Sequence, residues 1–368
     1  MKRSIVGPWR FVCGEGVLAD IGHHAAALGR KALLMGGDTA LGLTGETITS
    51  ALQAQGVAWH EERGAHVTKR RAEVDALVTI GRKQGVDLAI AVGGGRVGDA
   101  AKSIARTLDV PLITCPTVAA SNGPGTFSGS IEGDAQRSYW YRGPDVLVAD
   151  TEVIIQAGPR WLNSGMGDCL PFGGMWEMTE RLGRPTGAEH VLGLSDCYPT
   201  LAAQALAKLT YDTILDYGEQ AHRAAERGIV NDAFNRIVEA VVYCSVMAVS
   251  ACGGVGNDHG YHPGNFQCCD KELYHGEGVA FGALVNVMLF RWERERILRQ
   301  LRFTRAVGLP TTFADFDLPD ITPEEVRAEC RRMVGEGAEP RFGLPWPVSA
   351  DDVAEAMLEI DFLGRTLP

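Results

Sequence analysis

No stretch of this 368-residue chain is both apolar and long enough to cross a bilayer. The longest apolar runs, 240–252 and 279–290, fall short of the roughly 20 residues a spanning helix needs. They fit buried helices. Metal-type or redox cysteine spacing is also missing. Nine cysteines are scattered without a C-x-x-C pair, which fits reduced thiols and a cytoplasmic location. Met1-Lys2-Arg3-Ser4-Ile5-Val6 has a basic start but no apolar core, so a secretory signal is not expected there. Basic charge is in deficit, with 35 Lys and Arg against 46 Asp and Glu. A nucleic-acid partner wants the opposite balance. The local cluster Arg327, Arg331 and Arg332 is expected to be a solvated helix face.

Glycine is what the chain has in excess, at 45 residues without a Gly-X-Y period. Such glycines serve turns, helix ends and places where backbone comes close to something else. With 45% apolar and 22% charged residues the composition is globular, and the length predicts about two domains.

Strand and helix patterns alternate over the first 150 residues. Strands are predicted at 31–36, 57–61, 87–92, 111–115 and 146–150, with helices at 43–55, 73–83 and 97–108. That alternation implies an α/β dinucleotide-binding domain with a parallel sheet. Beyond about residue 155 strand-like runs stop. Helices are predicted at 165–181, 191–218, 231–252, 276–301, 323–334 and 350–362. The expectation is an α/β domain over 1–158, an all-α helical domain over 159–368, and a ligand cleft between them.

Gly93-Gly94-Gly95-Arg96-Val97-Gly98 follows a predicted strand and opens a predicted helix. Glycine amides at a helix start suit a pyrophosphate. A standard Rossmann unit would place a ribose-binding acid after the next strand. That strand ends in Cys115-Pro116-Thr117 with no acid. Asp38, directly after the first predicted strand, takes the role instead, unless it is a helix cap or turn residue. As a ribose ligand it favours NAD, because its charge repels a 2′-phosphate.

Three of the nine histidines, His259, His262 and His275, fall within 17 residues, and Asp168 lies in Gly165-Met166-Gly167-Asp168. One carboxylate with two imidazoles suits zinc or ferrous iron and leaves positions open for substrate. The alternative is a set of satisfied histidines at helix ends.

The segment Gly93 to Lys102, which has the form GGG-x-x-x-D-x-x-K, resembles the iron-dependent alcohol dehydrogenase and dehydroquinate-synthase-like superfamily. Pro116-Thr117, Gly167-Asp168, the run from His275 to Gly282 and the tail from Ala306 to Thr312 extend the likeness across nearly the whole chain. It is most similar to the glycerol dehydrogenases. The resemblance implies NAD as cofactor and a catalytic divalent metal held by Asp168, His259 and His275. It implies cofactor contacts at Asp38, Gly94, Gly95, Arg96, Thr117, Thr126 and Ser128. Iron-dependent members carry a further His where this chain has Phe172, so zinc fits better than iron.

Three departures bear on the substrate. Asn122 stands where glycerol dehydrogenases carry a polyol-binding Asp. His262-Pro263-Gly264 replaces H-N-G, and Arg96 replaces a frequent Lys, Ser or Thr. The expected reaction is NAD-dependent interconversion of a secondary alcohol or polyol (glycerol-like, cyclitol or amino-sugar-like) and its ketone. Hydride passes to the nicotinamide, Asn122 contacts the substrate, and His262 relays the proton unless it caps a helix end. Lys102 is either catalytic or simply paired with Asp99. The superfamily also offers a sugar-phosphate cyclase and an sn-glycerol-1-phosphate dehydrogenase. A homo-oligomer is expected from the family's habit.

Overall fold

The computed structural model describes residues 2–134, 138–139, 143–183, 197–249, 257–335, 344 and 346–366. Six parallel strands form the central sheet: β1 (Arg10–Gly14), β2 (Lys31–Gly36), β3 (Ala58–Arg63), β4 (Leu88–Val92), β5 (Leu112–Cys115) and β6 (Val146–Asp150). Their order across the sheet is β1-β6-β5-β4-β2-β3. The interior strands are mostly apolar and buried at nearly every position, as a sheet covered on both faces requires.

Alternation assigns the two faces. Leu34, Ile90 and Val92 pack with Ile21 and Ala25 of α1 (Ile21–Leu28) and with Leu41 and Ile48 of α2 (Asp38–Ala54). Leu33, Met35, Ala89 and Ala91 pack on the other face, with Val74 and Leu77 of α3 (Arg71–Gln84) and Ala101 and Ile104 of α4 (Gly95–Leu108).

The remainder is helical. It comprises α5 (Pro159–Cys169), α6 (Pro171–Leu182), α7 (Leu201–Arg227), α8 (Asp232–Glu239), α9 (His275–Leu289), α10 (Arg294–Ala306), α11 (Pro323–Val334) and α12 (Ala350–Thr366). Their core also takes in Leu147 and Ala149 of β6, so one strand serves both halves. No described helix is long and apolar enough to cross a membrane.

Several boundaries differ from the sequence pattern, each for a local reason. The helix expected over 165–181 begins earlier, at Pro159, and breaks before Pro171. Proline opens a helix well and cannot continue one, because it lacks the amide proton. The helix expected over 276–301 is two, separated at Arg291, whose φ of 57° is left-handed. The segment expected over 231–252 changes at 240 into a π-turn, Ala240–Cys244, and then Ser245–Ala248. Its last residues, and 191–196 of another expected helix, lie outside the described residues. Strand β1 and helix α1 gave no clear pattern in the sequence. Cys197–Tyr198 pairs in parallel with Lys2–Arg3, a two-residue strand within the helical half. The arginine cluster pairs with acids: Arg327 with Glu355, Arg331 with Asp351, and Arg332 with Glu329.

Candidate active site

The strand order reverses between β2 and β4, since the chain runs outward from β2 to β3 and then returns to the other side of β2. Dinucleotides bind at the carboxyl ends of strands at such a switch point. Gly36 of β2 and Val92 of β4 are in register, so the turns after them open side by side. Asp38 follows one and Gly93–Gly95 the other. Gly93 has a φ of 149°, and Val97 packs close to it. Gly94 occupies the cap of α4, and Gly95 is its first residue. Asp38 is exposed at the first turn of α2, whose N-cap residue is Gly37.

A cavity of about 770 Å³ runs from Gly95 to the helical half; Gly94 and Asp38 are not among its lining residues. On the α/β side it meets Gly95, Arg96, Asp99, Ser121, Asn122 and Gly123. It also meets Thr126 and Ser128. Arg96 projects into solvent with 78% of its side chain exposed. Thr117 is not among the lining residues; its amide donates to the Gly93 carbonyl at 3.4 Å. Lys102 does not face the cavity either. Its buried ammonium donates to the Gly123 carbonyl (2.8 Å), Thr126 Oγ1 (3.1 Å) and the Ser128 carbonyl, and pairs with Asp99 at 3.0 Å. It therefore holds the loop that carries Asn122, Thr126 and Ser128.

Asp168, His259 and His275 meet at the far end. Asp168 Oδ1 lies 3.3 Å from His275 Nε2 and 3.7 Å from His259 Nε2. One ligand atom from each residue falls within 4.8 Å of the others. Asp168 is buried near the end of α5, His259 sits in the turn before Tyr261, and His275 is the first residue of α9.

Glycines make this meeting possible. A Cβ on Gly276 would overlap the Ser164 carbonyl oxygen, and one on Gly167 would overlap the Gly276 carbonyl oxygen. Helices α5 and α9 therefore touch backbone to backbone beside the ligand residues. Ser164 Oγ accepts the Gly276 amide at 3.0 Å and donates to the Ala120 carbonyl at 3.1 Å. Further along α9, Gly282 makes room for the backbone of Asp258 and Gly278 for the ring of His262. Arg160 fixes the start of α9 with a fork to Glu277 at 2.7 and 3.0 Å, and Glu277 accepts the Tyr274 amide at 2.8 Å.

The electrostatics suit a cation. Burial by itself would raise the Asp168 carboxyl. The hydrogen bond from His275, the charges of His275 and His259, and the Asn122 amide at 3.4 Å outweigh it and hold the group below its usual range. His259 Nδ1 is hydrogen-bonded to buried Asp258, which in turn accepts Asn286 Nδ2 at 3.0 Å. In the neutral ring that hydrogen bond would keep the proton on Nδ1 and free the Nε2 lone pair for a cation.

His262 is not brought to the cavity. Its ring lies under Gly278, and its buried Nδ1 has no hydrogen-bond partner. Burial, then the neighbouring His259 and His275, lower it from 6.5 to about 4. Asp258 and Asn257 line the cavity, but no role was assigned to them in the sequence. An Asp directly before a candidate ligand His was the available signal for Asp258. Lys69, held by Ser130 Oγ at 2.9 Å, also lines it and had no signal.

The iron-containing alcohol dehydrogenase model matches residues 12–158. The glycerol dehydrogenase of Citrobacter freundii is 32% identical over 375 residues, covering 99% of each chain. The chain belongs to the iron-containing alcohol dehydrogenase family. It is thus an oxidoreductase of the metal-dependent alcohol dehydrogenase kind. Within the family it is also 28% identical to the glycolaldehyde reductase of Halobacterium salinarum, over 99% of each chain. The solved glycerol dehydrogenase of Schizosaccharomyces pombe has the same fold, with a TM-score of 0.85 at 24% identity, over 99% of this chain and 92% of that one.

Two outcomes are expected from this geometry. Gly276→Ala forces α5 and α9 apart and costs about 3 kcal/mol, read from urea unfolding midpoints. His262 is neutral in the fold and binds a proton readily when unfolded. Its contribution to stability is therefore full above pH 6.5 and is withdrawn as pH falls towards about 4. Chemical denaturation across that window should show a shallower loss in His262→Phe.

Proposed function

We propose that the protein oxidises a secondary alcohol or polyol, and reduces its ketone, using NAD and a divalent cation, with zinc preferred to iron. The observation that carries this reading is the convergence of Asp168, His259 and His275 at the end of a cavity that opens at the other end on Gly95 and Asn122.

Asp168, His259 and His275 would hold the cation, and their one-carboxylate, two-imidazole set leaves a position for substrate. A cation there supplies Lewis acidity that lowers the pKa of an alcohol, and the nicotinamide supplies a hydride acceptor. The chain's own residues orient these groups. Asp258 fixes the His259 tautomer, and the Asn122 amide fixes Asp168. Asn122, uncharged, can donate to or accept from a substrate hydroxyl. Phe172 lies one turn after Asp168, where a fourth His would favour iron. His259 and His275 are 54% and 56% exposed, so the alcohol proton can leave to solvent without a relay through His262.

Gly94, Gly95, Thr126 and Ser128 would line the nucleotide path, with Asp38 at the adenosine ribose. Lys102 acts by holding their loop and touches no substrate. Domains of 1–158 and 159–368 suit this division of labour, since Gly158 precedes the proline that opens α5. The cavity's two cations, Lys69 and Arg96, lie on its α/β side and the described helical side has none, which favours an unphosphorylated substrate over a sugar phosphate or glycerol phosphate.

Asp168→Asn should lose bound zinc and turnover together, checked by elemental analysis and NADH formation. Retention of both would remove the basis of the proposal. Separately, Asp38→Gly should raise the ratio of kcat/KM for NADP over NAD at least tenfold, and a wild type that prefers NADP would remove Asp38 from the ribose site.

A further inference from the structure

The cavity has two chemically distinct walls. From the α/β side come glycines and polar residues: Gly95, Ser121, Asn122, Thr126 and Ser128. From the helical side, beside the ligand cluster, come Pro171, Phe172, Met175 and Val249. Phe172 and Met175 are three residues apart on α6, so they share one helix face. Their apolar surface belongs to the half that carries Asp168, His259 and His275. It lines the same cavity as that cluster, where the alcohol would bind. The cofactor's ribose and phosphates would lie along the glycine wall.

Fully hydroxylated substrates fit this wall poorly. A hydroxyl pressed against Phe172 and Met175 loses its water and finds no partner. Among the described lining residues beside the cluster, the neutral polar side chains are Ser121, Asn122 and Asn257, while Asp258 is already engaged by His259 and Asn286. They can satisfy one or two hydroxyls.

We propose that the substrate is a diol or hydroxyketone with an apolar substituent next to the reacting carbon, seated against Phe172 and Met175, in preference to glycerol. This rests on the dehydrogenase reading above and names its substrate class. The wall acts on specificity, because each buried methylene contributes about fourfold in binding.

The test compares glycerol with 1,2-propanediol, 1,2-butanediol and 1,2-hexanediol, using the full chain with zinc and NAD. kcat/KM should climb along the series and end at least tenfold above glycerol for 1,2-hexanediol. Phe172→Ser and Met175→Gln should each lower the hexanediol-to-glycerol ratio at least fivefold. Met175 is only half-buried, so its variant tests the idea even if Phe172→Ser does not fold. Glycerol turned over as well as hexanediol, or an unchanged ratio in a folded variant, overturns the proposal. If no alcohol yields NADH, the dehydrogenase reading has failed and the wall is judged by calorimetry. Hexanediol should then bind the zinc-loaded protein, with NADH present, at least tenfold more tightly than glycerol. Equal affinities overturn it.

Discussion

The contact between α5 and α9 at Gly167, Ser164 and Gly276 is the constraint on which the site depends. Two helices with ordinary side chains pack 8–10 Å apart. The closer approach here sets where Asp168, near the end of one helix, meets His275 at the start of the other, with ligand atoms within 4.8 Å. Removing the Cβ atoms lets the backbones touch, and the Ser164 hydroxyl locks the register by bridging Gly276 and Ala120. The same hydroxyl links this junction to the segment leading to Asn122. Asp168, His275 and Asn122 thus share one geometric origin.

Around that junction, charge is arranged in layers. Asp258 and Asn286 lie buried behind His259 and decide which ring nitrogen is free. Arg160 and Glu277 do comparable work for the helix that starts at His275. On the other side of the cavity, Lys102 gathers three oxygen acceptors and Asp99 beneath one loop. A buried ammonium with that many partners is anchored, and removing it would strand a buried carboxylate. These polar groups, set back from the cluster, hold Asp168, His259, His275 and the Asn122 loop in place.

Much of this was legible in the sequence. Uninterrupted apolar runs ending in glycine marked β2 and β4, and the His-rich segment marked the ligand cluster, because these signals are local. What failed to show was set by packing. Arg10–Gly14 is short and only partly buried, as one of the sheet's two edge strands, and so carries little apolar signal. Lys102 and Asp99 could be paired from their spacing, yet the loop they hold is more than 20 residues away. His262 looked like a relay because it neighbours His259 in sequence, whereas the turn at Pro263 and Gly264 directs its ring beneath α9. Proline and a left-handed arginine divided helices that periodicity alone would have run together.

Strand β6 is part of the parallel sheet, yet Leu147 and Ala149 are embedded in the helical core. The halves are thereby welded along a shared seam. A wide hinge opening would have to pull those side chains out of the second core, at a cost comparable to partial unfolding. A dinucleotide bound as proposed at Gly94 and Gly95 would thus have to come and go without separating β6 from the helices packed on it.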